Sequence, residues 1–269
     1  DLPFTDCSPG FGSVAKYIAT STLEAGLDVK SMAETSTKVF ILEVMGRHAG
    51  WIAAASCLAA TKAGDPPHII LLPEVPFEKT KFITQVKQTV KEQGYCVIVA
   101  SEGTQTKNGK FLADSGLTDA FGHKQLGGVA PVLAGMISKI GLKNHWAVAD
   151  YLQRSARHIA SKTDLDQAYA VGEHAVKLAI AGKTALMPII KRTSDSPYKW
   201  KIATAPLKNV ANIEKTMPKK FISKNGFEIT QAGKTYLSPL IKGEAPIKYV
   251  NGLPDIAELK KIKVKKRLS

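Results

Sequence analysis

Cysteine is scarce in this chain of 269 residues. Cys7, Cys57 and Cys96 stand far apart, with no CxxC pair and no ligand spacing. That excludes a disulfide-built scaffold and a zinc ribbon. Two of the three lie in apolar surroundings and read as buried, reduced thiols of a cytoplasmic protein. No apolar run approaches the ~20 residues that span a bilayer, so no membrane partner is expected. The six histidines lack metal-ligand spacing. Internal repeats and Ser/Gly-rich linkers are missing, as are a signal-peptide pattern and an initiator methionine. The abrupt opening Asp1-Leu2-Pro3 reads as the start of a fragment.

Acidic residues are also few. Twenty-three carboxylates face 37 Lys and Arg, for a net charge of +14. Part of the excess is a basic tail of Lys260, Lys261, Lys263, Lys265, Lys266 and Arg267. No aromatic residues interleave with it and no RNA-binding motif accompanies it, so it reads as a solvated tail and nucleic acid is not expected as a partner. The remaining excess suits a polyanionic substrate.

What the chain does have is alternation. Helical spacing over 12–27 puts Val14, Ile18, Leu23 and Leu27 on one face. Apolar strand-length runs follow at 38–44, 68–72 and 96–100, separated by predicted helices at 51–63 and 77–93. This βαβαβ order predicts an α/β fold: a three-layer, Rossmann-like parallel sheet flanked by helices. Right-handed crossovers put the strand C-termini on one edge, where such sheets bind ligands. Residues 102–128 are rich in Gly, Lys, Asp and Thr and read as a long loop, a kind of segment that is often a functional lid. A helix over 129–140, a strand over 145–149 and a helix over 166–181 come next. Strands at 185–190 and 199–203 pair across the turn Ser194-Asp195-Ser196-Pro197. Past residue 204 the pattern weakens.

The most informative stretch is Glu43-Val44-Met45-Gly46-Arg47-His48-Ala49-Gly50. A strand turning into a helix through Met-Gly-Arg aims backbone N–H groups and a guanidinium at one spot, which suits a phosphate or phosphosugar. An ordinary βα turn, with Gly46 only easing the bend, is the competing reading. His48 and His123 have no evident carboxylate partner and read as solvated or capping residues.

Glu-Val-Met-Gly-Arg before a small-residue helix resembles the substrate signature of the phosphofructokinase family. The opening Asp1-Leu2-Pro3-Phe4-Thr5-Asp6 resembles the segment beginning at the last aspartate of that family's Thr-Ile-Asp-Asn-Asp motif. Val99-Ala100-Ser101-Glu102-Gly103 resembles its sugar-binding strand end. Ala149-Asp150-Tyr151-Leu152-Gln153-Arg154 is similar to the pyrophosphate-dependent branch, where tyrosine replaces a histidine. Met217-Pro218-Lys219-Lys220-Phe221-Ile222 and Pro239-Leu240-Ile241-Lys242-Gly243-Glu244 are similar to that branch too. The likeness covers essentially the whole chain.

The resemblance implies a phosphofructokinase-like fold, truncated at its N-terminus, with a sugar-phosphate-binding α/β part over 1–149 and the remainder over 150–269. It implies transfer of a phosphoryl group from pyrophosphate to the 1-hydroxyl of fructose 6-phosphate, reversibly, with Mg2+. Asp1 and Arg47 are then catalytic, and Asp1 lies near the metal. Met45, Gly46, Arg47, Glu102, Tyr151, Gln153, Arg154 and Lys38 contact the sugar phosphate. Lys38 stands where the family often has an arginine that reaches a neighbouring subunit's site, so a homo-oligomer, dimer or tetramer, is implied. His145 stands where another phosphate-binding arginine is expected, and Lys143 is its substitute. The base aspartate and the glycine-rich donor loop fall before residue 1, so the 269 residues alone are expected to be inactive. The residues that choose the donor fall there too. An ATP-dependent enzyme of the same family and a non-catalytic phosphosugar-binding regulatory subunit therefore stay open.

Overall fold

The computed structural model describes residues 2–118, 124–126, 128–263 and 265. Its centre is a parallel sheet of four strands: β1 (Val39–Val44), β2 (Ile69–Leu71), β3 (Cys96–Ser101) and β6 (Asn144–Val148), in the order β2-β3-β1-β6. Between them run α1 (Phe11–Met32), which precedes β1, then α2 (Trp51–Ala55), α3 (Lys79–Gln93) and α4 (Val129–Ser138). The predicted α/β architecture holds, with element ends differing by a few residues. The helix predicted over 51–63 is short; it passes into a 3-10 turn, Ser56–Ala59, and stops.

Strand alternation decides the layers. Val39 and Ile41 of β1, Ile69 and Leu71 of β2, and Ile98 and Ala100 of β3 pack on one face against Phe82 and Val86 of α3 and Leu133 and Ile137 of α4. Leu42, Val44, Ile70 and Val99 point the other way, onto Ile18 of α1 and Trp51, Ala53 and Ala54 of α2. Each large side chain buried this way is worth about 1.5–3 kcal/mol relative to exposure. In α3 the buried positions Phe82 and Val86 are one turn apart. The helix ends at Gly94, whose φ of 84° is the left-handed stop that glycine adopts freely.

Residues 102–128 are not the loop without strands that the sequence suggests. They carry an antiparallel pair, β4 (Asp114–Thr118) and β5 (Lys124–Leu126). The turn chemistry of Gly, Asp and Thr masked strands too short to show periodicity. Beyond β6 come α5 (Leu152–Ser155), α6 (Lys162–Ile180) and a long hairpin, β7 (Leu186–Asp195) with β8 (Tyr198–Pro206). The hairpin matches its expected position. Past β8 the chain is irregular, with α7 (Gln231–Leu237) and a small pair, β9 (Tyr249–Val250) with β10 (Leu253–Pro254). This part returns to the central sheet, because Met217, Phe221, Ile229 and Leu237 join the cluster around Trp51. Among the described residues no helix is long and apolar enough to cross a membrane.

Asp164, at the start of α6, fastens α1. Its carboxylate accepts from the Gly10 N–H at 2.8 Å, the Ser13 N–H at 3.0 Å and the Ser13 hydroxyl at 2.6 Å. An anion among the unpaired N–H groups of a helix start is favourable.

Candidate functional site

β1 and β3 run parallel and end together, with Val44 opposite Ser101. The Glu102 N–H donates to the Val44 carbonyl at 2.9 Å, and the two strands then separate. The turn after β1 is held from three sides. The Met45 N–H donates to Gln153 Oε1 at 3.4 Å. The Gly46 N–H donates to Glu102 Oε1 at 3.2 Å. The Gly46 carbonyl accepts from Ser101 Oγ at 2.5 Å and from the Gly103 N–H at 3.2 Å. Gly46 sits at φ 142°, where a Cβ would fall 2.7 Å from both the Ala49 carbonyl oxygen and Ser101 Oγ. Glycine is required there on both counts.

This arrangement corrects one expectation. The first two amides of the turn are not free for a phosphate; Gln153 and Glu102 already use them. What remains is Arg47. Its Nε is buried and has no partner among the described residues. A buried guanidinium N–H without an acceptor is costly, and an anion at this edge relieves that cost.

Gln153 is likewise corrected. It is 2% exposed, and its amide Nε2–H donates to the Asp150 carbonyl at 2.8 Å. Both ends of its side chain are used inside the protein, so it holds the Met45 turn and does not face the open edge. Tyr151 and Arg154 are exposed, and the Arg154 guanidinium lies 4.9 Å from the centre of the Tyr151 ring. No carboxylate pairs with Arg154 among the described residues, and Asp164, ten residues on, is spent on α1. Because β6 lies beside β1 and ends with it, this cation also stands at the C-terminal edge.

Lys38 does not join this group. It precedes β1, where its N–H donates to the Lys143 carbonyl and its own carbonyl accepts from Cys96. That is the opposite edge of the sheet, on the order of 20 Å away along the strand. Lys143 and His145 share that edge, and Lys143 Nζ donates to Ser36 Oγ at 2.9 Å. Within one chain these three are remote from Met45. Asp1 and His123 lie outside the described residues.

Three features were not visible in the sequence. Glu43, the first letter of the signature, is buried on the α4 face, where its carboxylate accepts from the Ala130 N–H at 2.7 Å. Burial pushes its pKa up, partly opposed by that hydrogen bond. Its role is to cap α4. His48 is not unpaired: its Nδ1 lies 2.6 Å from Glu214 Oε1. Glu74 receives the Gly50 N–H at 3.0 Å and the Met217 N–H at 2.9 Å. A sequence spacing of more than 140 residues in two of these contacts left no local signal.

Among the described residues no group of three or more His, Cys, Asp or Glu side chains could hold a metal ion.

The family pattern described as Phosphofructokinase matches residues 1–179. The chain is 63% identical over its whole length to the pyrophosphate–fructose 6-phosphate 1-phosphotransferase of Halomonas elongata, spanning 64% of that protein. It is 57% identical to the protein of the same name from Methylococcus capsulatus, again spanning 64% of it. The crystal structure of the pyrophosphate-dependent phosphofructokinase of Marinobacter aquaeolei superposes with a TM-score of 0.89 at 59% identity, covering 100% of this chain and 64% of that one. The chain thus spans just under two thirds of the length of these relatives, and it belongs to the phosphofructokinase family.

Proposed function

We propose that this chain supplies the sugar-phosphate half of a pyrophosphate-dependent 6-phosphofructokinase site. The reaction is fructose 6-phosphate plus pyrophosphate giving fructose 1,6-bisphosphate plus phosphate, in either direction. The observation that carries the reading is the meeting of Arg47, Glu102 and Arg154 at one sheet edge. Among the described residues the Arg47 Nε has no hydrogen-bond partner and Arg154 has no carboxylate partner, while Glu102 accepts the Gly46 N–H through one oxygen. The names of the relatives support the same donor and acceptor.

Phosphoryl transfer needs positioning and neutralisation more than covalent chemistry. In this reading Arg154 grips the 6-phosphate through its guanidinium, with the Tyr151 hydroxyl as a neutral donor beside it. Glu102 accepts from sugar hydroxyls and so fixes the face from which the 1-hydroxyl attacks. Arg47 lies against the moving phosphoryl group, where charge is spread over its oxygens. Asp1 is assigned to the same end by resemblance. The base that takes the 1-hydroxyl proton and the loop that cradles the diphosphate are not assigned to residues of this chain. Magnesium would accompany the diphosphate, and no step here is assigned to it.

A homo-oligomer belongs to this proposal. What supports it is the placement of Lys38, Lys143 and His145 at the far edge, and the exposure of Trp146 and Val148 on the edge strand β6. A cytoplasmic location suits the three buried, free thiols.

The test is donor choice. Initial rates of fructose 1,6-bisphosphate formation by the intact protein are measured with pyrophosphate and with ATP at equal concentration. Turnover with pyrophosphate and not ATP is expected. The reverse result makes the protein ATP-dependent, and no turnover with either makes it a phosphosugar-binding protein.

A further inference from the structure

Residues 213–218 form neither helix nor strand, yet they make polar bonds to two separate parts of the candidate site. On one side they hold the Met45–Trp51 turn. Glu214 Oε1 lies 2.6 Å from His48 Nδ1, and the Lys215 carbonyl accepts from the Trp51 indole N–H at 2.8 Å. The Met217 N–H reaches Glu74, whose two oxygens also receive the Gly50 N–H at 3.0 and 3.1 Å. On the other side they hold the N-terminal segment: Lys215 Nζ donates to the Thr5 carbonyl at 2.8 Å. Leu2, Thr5, Trp51 and Lys215 line a small cavity between the two parts. Lys215 Nζ also lies 5.7 Å from the centre of the Trp51 ring.

We propose that residues 214–217 are a strap that fixes the Arg47 turn against the segment 2–6, with Lys215 and Glu214 as positioning residues for phosphoryl transfer. The inference rests on the proposed function for what is being positioned. Its physical basis is separate. The segment is irregular and makes no ladder of its own, so its place is set by these bonds and by the burial of Met217 beside Trp51. Its two arms reach opposite sides of one gap. Lys215 is the pivot, since its backbone carbonyl holds Trp51 while its side chain holds Thr5. The partly buried Lys215 ammonium is held in that gap against its desolvation, which lowers its pKa. The sugar-phosphate contacts, Glu102 and Arg154, are held by other bonds and do not depend on the strap.

A misplacement of about 1 Å at reacting groups can cost on the order of a hundredfold in rate. Lys215→Met keeps the length and the apolar contact with Trp51 and removes the donor to Thr5. In the intact protein it is expected to lower kcat about tenfold or more while KM for fructose 6-phosphate stays within about twofold. Amide exchange at residues 2–6 and 48–51 should quicken, and Lys215→Arg should restore most of kcat. Unchanged kcat with unchanged exchange overturns the strap, as does an equal loss in kcat and affinity with no rescue by arginine. Glu214 is half exposed, and Glu214→Ala decides the matter if Lys215→Met does not fold: faster exchange at 48–51 with lower kcat supports the strap, and no change in either overturns it. Turnover by the unsubstituted protein tests the proposed function separately, and the exchange rates do not depend on the reaction.

Discussion

Gly103 passes directly beneath Arg47: a Cβ built on Gly103 would overlap the Arg47 carbonyl oxygen. The same glycine donates its N–H to the Gly46 carbonyl. The ends of β1 and β3 can therefore approach closely only because residue 103 lacks a side chain. Gly103→Ala should push the Arg47 turn outward and cost about 1–3 kcal/mol in stability. The rate should fall by more than that loss of folded protein explains. Thermal unfolding and kinetics on the same preparation check this, and a variant with full activity would mean that the turn tolerates the shift.

Among the described residues Arg154 has no carboxylate partner, and its guanidinium rests on the exposed ring of Tyr151. Arg154→Ala should therefore leave stability nearly unchanged. It should weaken fructose 6-phosphate binding by about 1.5–3 kcal/mol, roughly ten- to a hundredfold, and pyrophosphate binding far less. An unchanged KM for the sugar phosphate in folded protein would remove Arg154 from the site.

His68 sets a pH dependence away from the site. Its Nδ1 accepts the Val97 N–H at 2.9 Å, so the ring is neutral in the fold. Burial holds its pKa below the ordinary 6.5. As pH falls, the unfolded chain takes up this proton before the folded one does. The stabilisation is therefore complete above about pH 6.5 and is lost as pH drops through that value toward the folded pKa. Unfolding midpoints between pH 5 and 7.5 should show this decline, and His68→Asn should flatten it. A stability that rises on acidification would refute the assignment.

The alternation of apolar strands with helices made the sheet and its two faces readable, because period 2 and period 3.6 survive in sequence. It also brought Met45, Gly46, Arg47 and Glu102 correctly to one edge. The site's inner bonds were not readable. Gln153 looks like its neighbour Arg154 in the motif, yet one is buried under Met45 and the other faces solvent. Only the tertiary fold separates them. Glu43 and His48 were hidden for the same reason, since Ala130 and Glu214 meet them from 87 and 166 residues away. Lys38 stands at the other end of β1, remote from Met45 of its own chain, which agrees with the neighbouring subunit's site that the resemblance implies for it.

Glu102→Gln separates a sugar-binding role for this carboxylate from a purely structural one. Gln keeps the volume and an oxygen for the Gly46 N–H, but loses the charge and one acceptor. The measurement is kcat/KM for fructose 6-phosphate alongside the melting temperature of the same sample. A fall of about 2–3 kcal/mol in transition-state binding, on the order of a hundredfold, is expected with an unchanged melting temperature. A collapse of the melting temperature, with normal kinetics in the fraction that stays folded, would make Glu102 a structural support of the Gly46 turn and contradict its place in sugar binding.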